Sequence, residues 1–335
     1  MRFFRVIASM TAALFLLVGL VSPPASAQDP VNWACPATQP IDSLLGTFAV
    51  WGYDPAYMNN LCGVKHDAQP ESSVKFSEAD GVLVGSTSTG VIALPGAVAM
   101  DRQFAEVAST LKANATKVAF ANYVGLRWNE QSVASGVVAK VRDWLGQYNR
   151  VVVLGASTGG AVATKLATVL TPAEQARVAL SGLNAPAGFN TLQPGVQSSV
   201  DTAMKVVPNP LIMWLSEVPW VRAFFFGLTN TSHYNYGSQF QLEQAAYNGT
   251  YVPLADGALA EFARVSYFAS AGDKTVNGDA AYLVWQNMRG ASVPRYNLPG
   301  DHVGWQKDPV AAAAWRDALA TELGIINSSP LPPAA

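Results

Sequence analysis

The chain has 335 residues, of which 50% are hydrophobic and 13% charged, with a formal net charge of −2. That size suits one large domain with a generous core, and the absence of a basic stripe excludes nucleic acid as a partner. Two cysteines and three histidines, without a CxxC or HxxxH cluster, leave no set of metal ligands, and no cofactor is expected.

The first 27 residues read as a leader. Arg2 and Arg5 are followed by an apolar run from Val6 to Val21 and by the small-residue cleavage site Ala25-Ser26-Ala27. The run is too short for a membrane anchor and has no cysteine to carry lipid. Cleavage near Ala27 leaves about 308 residues with a formal charge of −4, secreted or held in the periplasm or cell envelope. In that oxidising setting Cys35 and Cys62, 27 positions apart, are expected to pair as a structural disulfide. Closing that loop stabilises by roughly 3 kcal/mol in the chain-entropy picture.

Strand and helix patterns then alternate, with no internal repeat. Val74–Phe76 and Val82–Val84, punctuated by Asp80-Gly81, read as a hairpin. Val91–Leu94 is a strand ending at Pro95-Gly96, and Met100–Leu111 a helix with Phe104, Val107 and Leu111 on one face. Val118–Phe120 is the next strand; Ser132–Leu145 is a helix burying Val133, Val137, Val141 and Trp144. Val151–Leu154 is a strand, and Ala161–Leu170 a helix stopped at Thr171-Pro172. Val178–Leu180, Val265–Ala269 and Val293–Leu298 supply three later strands. Asp308-Pro309 caps a last helix carrying Trp315, Leu319 and Leu323, which stops before Gly324. The proline-rich tail 328–335 is expected to be disordered. Such alternation predicts a mostly parallel sheet with helices on both faces.

One segment breaks the rhythm. About seventy residues, 187–258, separate two late strands, far more than a normal connection. They include Trp214, Trp220, Phe224-Phe225-Phe226, Tyr234, Tyr236 and Phe240. A stretch this apolar folds onto something: a helical cap with its own core, or a lid lining a hydrophobic pocket, and one segment can do both. Its apolar face also offers a surface for transient contact with a lipid interface.

The segment Val151-Val-Val-Leu-Gly-Ala-Ser157-Thr-Gly-Gly holds G-x-S-x-G between a buried strand and a helix. A turn that sharp needs small neighbours, and it lifts the serine hydroxyl to the carboxyl edge of the sheet, where ligands bind in such folds. Serine needs a base to attack at neutral pH. His66 precedes the sheet and His233 lies in the cap, which leaves His302, on the loop after the last predicted strand. The base needs a carboxylate to orient it. Asp273, in Ser270-Ala-Gly-Asp-Lys-Thr-Val just past Val265–Ala269, is best placed; Asp279 lies further on, Asp301 adjoins the histidine and points away, and Asp201 and Glu217 fall in the cap.

These motifs, in the chain order Ser157, Asp273, His302, resemble the α/β-hydrolase superfamily from Val74 through the terminal helix, with the cap in the usual place. Val91-Ile-Ala-Leu-Pro-Gly-Ala97 resembles the strand and oxyanion loop of that superfamily, with proline where many members carry histidine, as in a branch of small bacterial hydrolases with Pro-Gly-Ala. The resemblance implies a catalytic domain over 28–327, and an oxyanion hole made by the backbone N–H groups of Ala97 and Thr158. It also implies hydrolysis of a small-molecule or lipid-like carboxylic ester with an apolar acyl group, through an acyl-enzyme. A secreted serine peptidase or an acyltransferase would use the same triad. A non-catalytic binding protein on this fold would tolerate a broken triad, but all three positions are filled. A dehalogenase would need aspartate where Ser157 stands.

Overall fold

Apolar residues run without interruption through Val91–Leu94 and Val151–Leu154, the pattern of strands covered on both faces. A computed structural model describes residues 73–83, 88–96, 101–124, 130–198, 252–306 and 308–330. Residues 1–27, Cys35, Cys62, Ala97, the cap aromatics from Trp214 to Phe240 and residues 331–335 lie outside them.

Among the described residues the strands are β1 (Ser73–Asp80), β2 (Thr89–Leu94), β3 (Lys117–Val124), β4 (Arg150–Ala156), β5 (Val178–Leu183), β6 (Arg264–Ser270) and β7 (Arg295–Leu298). They form one sheet in the order β1-β3-β2-β4-β5-β6-β7. Only the β1–β3 pairing is antiparallel, with Ser73 opposite Val124 and Asp80 opposite Lys117; every other neighbour is parallel. The helices are α1 (Ala108–Ala113), α2 (Glu130–Leu145), α3 (Thr158–Thr164), α4 (Pro172–Gln175), α5 (Gly278–Arg289) and α6 (Pro309–Ser328).

Because side chains alternate across a strand, each strand feeds two cores. Ile92, Leu94, Val151 and Val153 pack with Val137, Val141 and Trp144 of α2, Val162 of α3 and Trp285 of α5. Val91, Ala93, Val152 and Leu154 pack on the other face with Phe104, Leu111 of α1 and Trp315, Leu319 and Leu323 of α6. Helices therefore cover both faces, as the alternation of the sequence predicts.

Three local expectations need correction. Val82 and Leu83 form no hairpin strand, and Val84 lies outside the described residues: Ser73–Asp80 is one strand paired to β3. The next amides turn to the end of α1 instead, Val82 N donating to Lys112 O at 2.9 Å and Leu83 N to Ala115 O at 3.0 Å. The helix over Met100–Leu111 is a 3₁₀ turn (Asp101–Phe104) followed by α1. The Gln103 carbonyl, which a continuous helix would offer to the Val107 N–H, accepts instead from Trp305 Nε1 at 3.0 Å, and Val107 N donates to Phe104 O. Phe104, Val107 and Leu111 are nonetheless all buried. Finally, α6 runs through Gly324 to Ser328, because Ile326 is buried in the second core and the helix end is held. Asn327 accepts from Thr89 Oγ1 at 2.7 Å and donates to Asn114 O at 3.0 Å, and Arg150 donates to Ser329 O at 2.8 Å. The start of the expected tail is thus helix. Thr171-Pro172, expected as a stop, also opens α4 with a reciprocal Thr171–Glu174 capping box.

At the amino edge of the sheet, Glu322 of α6 is 1% exposed. Arg264 grips it with Nε and Nη2 at 2.6 and 2.8 Å, and Tyr296 donates its hydroxyl at 2.8 Å. Burial and that hydrogen bond push the Tyr296 phenol up to about 12. Removing one partner strands a buried carboxylate. Arg264→Met should therefore cost about 3–5 kcal/mol of unfolding free energy in urea melts, with Arg264→Met/Glu322→Leu costing less than the single variant. Gly324 sits mid-helix with nothing within 4 Å of an added Cβ. Gly324→Ala should raise stability by about 0.5–1 kcal/mol, read in the same melts.

Candidate active site

β4 occupies the middle of the sheet and ends at Ala156; α3 starts at Thr158. Ser157 alone makes the turn, with φ 49° and ψ −126°, a region that side chains rarely enter and that costs of order 1–3 kcal/mol. Contacts on every side hold it there. Ser157 N donates to Leu183 O of β5 at 2.8 Å, and Ser157 O accepts from Gly160 N at 2.9 Å. A side chain at Gly155 would run into the Gly160 backbone, and one at Gly159 into the carbonyl oxygens of Leu94, the last residue of β2, and of Pro95 just after it. An added Cβ at Gly96 would stand 2.9 Å from Ser157 Cβ. The glycines allow strand, elbow and oxyanion-side loop to close on one another.

The hydroxyl of Ser157 is not used to cap α3; it lies 2.9 Å from His302 Nε2. His302 Nδ1 lies 2.7 Å from Asp273 Oδ2. All three residues are buried, His302 at 3% exposure. Since a carboxylate only accepts, Nδ1 carries the imidazole proton toward Asp273, and Nε2 presents its lone pair to the serine hydroxyl. The other carboxylate oxygen, Oδ1, accepts from Thr275 N at 2.7 Å and Val276 N at 2.8 Å. Both oxygens are thus aimed. The acid loop is itself tied down, Gln193 donating to the Asp273 carbonyl at 3.0 Å and Leu192 bridging to Val276. Beneath it, burial above all and then the Asp273 charge raise the Tyr267 phenol, which stays neutral and donates to Ala185 O at 3.1 Å.

The three residues singled out in sequence order, Ser157, Asp273 and His302, therefore meet as one hydrogen-bonded chain. The rival carboxylates stand elsewhere: Asp279 is in the first turn of α5, paired with Arg295 at 2.6 Å, and Asp301 accepts from Val303 N. Asp201, Glu217, His66 and His233 lie outside the described residues. Thr158 is buried at the first position of α3, directly after the elbow; Ala97, its expected partner, lies outside the described residues, one position past Gly96. Among the described residues no group of three or more His, Cys, Asp or Glu side chains gathers as metal ligands.

Two residues of the site were missed by sequence reasoning. Gln103 accepts from Gly96 N through Oε1 at 2.7 Å, while its own carbonyl takes the Trp305 indole. It links the loop after β2 to the loop bearing His302. Asn184, at φ 47°, closes β5 and bonds to Ser270 and to the His302 carbonyl. An asparagine ending a strand hints at left-handed backbone; nothing in the sequence around Gln103 marks it.

No protein-family model matches this chain, nor does any curated protein sequence. Solved structures do match it. A thermophilic esterase from Thermogutta terrifontis aligns with a TM-score of 0.52 at 14% identity, over 76% of this chain and 94% of that one. An esterase from Exiguobacterium antarcticum aligns at 0.51 and 14%, over 76% and 96%. A meta-cleavage product hydrolase from Pseudomonas fluorescens IP01 aligns at 0.51 and 11%, over 76% and 95%. With the sheet order and crossovers above, the chain has the α/β-hydrolase fold.

The crowding at the elbow gives a direct check. Gly159→Ala drives a Cβ into backbone oxygens that cannot rotate away. It should cost about 1–3 kcal/mol or more of stability, measured by thermal melting; an unchanged Tm would contradict the close approach of β2 and α3.

Proposed function

We propose that this protein is a serine hydrolase that cleaves carboxylic esters of apolar acyl groups through an acyl-enzyme on Ser157. The observation that carries the reading is the buried chain Ser157 Oγ–His302 Nε2–Asp273, with 2.9 and 2.7 Å links. Ser157 Oγ attacks the acyl carbonyl carbon as His302 Nε2 takes its proton, and Asp273 steadies the imidazolium. The Thr158 and Ala97 amides are the donors assigned to the oxygen of the tetrahedral adduct, where charge develops only on attack. Collapse breaks the bond to the alcohol oxygen, which leaves with the proton from His302. Water then gives a proton to His302 and attacks the acyl carbon; the second adduct expels Ser157 Oγ, which regains its proton, and the carboxylic acid departs.

The apolar preference rests on the composition of the cap segment, which holds Trp214, Trp220 and Phe224–Phe226. That many large apolar side chains exceed what a surface normally exposes. If they wall the acyl pocket, each added methylene contributes up to about 0.8 kcal/mol, close to fourfold in kcat/KM, until the pocket ends. The same cap suits transient contact with a lipid interface. The leader, residues 1–27, supports action outside the cytoplasm, with Cys35 and Cys62 joined.

The test is a p-nitrophenyl ester series from acetate to decanoate, run beside aminoacyl-anilides on the exported protein. Esters should turn over and anilides should not. Ser157→Ala should lower kcat by about 10⁴- to 10⁶-fold with an unchanged Tm; a folded Ser157→Ala variant with substantial turnover would remove the serine from the mechanism.

A further inference from the structure

We infer that Asn184 is a positioning residue for the proposed hydrolysis: it sets the acid loop and the histidine loop at the separation that aims His302 at Ser157. The inference rests on the reading of Ser157 as the nucleophile.

Asn184 follows the last residue of β5, which lies between β4 and β6. Its neighbour Leu183 pairs with Ala156 on one side and Phe268 on the other, and the Leu183 carbonyl holds the Ser157 amide. Asn184 N then donates to Phe268 O at 2.8 Å. At this point the chain enters the left-handed region, φ 47°, which asparagine tolerates better than most residues. That backbone excursion swings the side chain across the carboxyl edge of the sheet.

Every polar atom of the amide is then used. Oδ1 accepts from Ser270 N at 2.6 Å. Nδ2 donates to Ser270 Oγ at 2.8 Å and to the His302 carbonyl at 2.9 Å. Ser270 is the last residue of β6, and its carbonyl takes the Asp273 amide at 3.3 Å. One side chain therefore grips the root of the acid loop and the peptide of the histidine itself, while its neighbour grips the serine. Further rungs between the two loops run the same way, Ala271 N to Leu298 O at 2.8 Å and Gly272 N to Gly300 O at 2.9 Å. None of those rungs touches His302; Asn184 does.

The residue type is demanding. Asn184 is 1% exposed, so water does not substitute for its bonds. The site needs an acceptor for Ser270 N and donors for two oxygens, from a side chain short enough to stay at the strand end. Aspartate supplies only acceptors when ionised, and glutamine is one methylene too long. Without the amide, the His302 carbonyl loses its partner and the loop carrying the base is released from β5. Misplacing a catalytic group by about 1 Å is enough to cost on the order of 100-fold in rate.

Two variants separate positioning from a merely structural clip. Asn184→Gly tolerates positive φ and deletes all three side-chain bonds. Asn184→Asp also tolerates it, and keeps the acceptor for Ser270 N while losing the donor to His302. Wild type and variants are compared by Tm, by end-point titration of active sites with a fluorophosphonate, and by kcat and KM on p-nitrophenyl butyrate. Asn184→Gly should titrate to the wild-type end point with kcat per titrated site lowered about 10- to 100-fold and KM within about twofold. Asn184→Asp places a buried carboxylate oxygen against the His302 carbonyl, so it should melt below wild type and also show a lowered kcat per titrated site. A wild-type kcat per titrated site in either variant would overturn the inference. Should the glycine variant not fold, the kcat of the folded aspartate variant decides in the same sense. Wild-type protein that neither hydrolyses ester nor takes the label would instead defeat the proposed function, and this inference with it.

Discussion

Everything at the carboxyl edge of the sheet depends on one strained residue. Ser157 sits at φ 49° between the central strand and the helix that follows it, and such a conformation persists only where surrounding structure over-determines it. Here the determinants are the Leu183 carbonyl, the Gly160 amide and the close approach of Gly96, Gly155 and Gly159 to neighbouring backbone. The strain turns the hydroxyl away from its ordinary work of capping α3 and toward His302. Strands β2, β5, β6 and β7 then contribute through the loops at their carboxyl ends, which carry Gly96, Asn184, Asp273 and His302.

The two edges of the sheet divide the labour. At the carboxyl edge, polar groups are spent on aim: both oxygens of Asp273, both ring nitrogens of His302 and all of the Asn184 amide have assigned partners. At the amino edge they are spent on holding the scaffold, where Arg264 and Tyr296 close on the buried Glu322 and Arg150 reaches the end of α6. Helix α6 joins the edges. It starts at the Asp308 cap just beyond His302, packs Trp315 against Trp305 and Phe268, and ends on Thr89 and Arg150.

Much of this was legible in the sequence, for physical reasons. Strands buried on both faces announce themselves as unbroken apolar runs, so Val91–Leu94 and Val151–Leu154 stand at the positions expected. The elbow was legible because its geometry demands small residues at fixed offsets from Ser157. Elimination pointed to His302, since three histidines leave few choices, and Asp273 was singled out by its place just past a strand; the two side chains meet at 2.7 Å. What failed were boundaries set by tertiary partners. The helix over Met100–Leu111 breaks because Trp305, two hundred residues away, takes the Gln103 carbonyl. The stop at Gly324 fails because Ile326 has a core to reach. The hairpin fails because the amides after Gly81 find the end of α1 closer than a partner strand. Gln103 and Asn184 escaped notice for the same reason: their roles exist only in the contacts that folding makes.

The most direct measurement of the central claim is to expose the folded, exported protein to an alkyl fluorophosphonate and locate the adduct by peptide mass spectrometry. The account predicts one adduct per chain, on the peptide containing Ser157, and sharply slowed labelling in His302→Ala. Folded protein that takes no label, or takes it on a different serine, would contradict the claim that this elbow holds an activated nucleophile.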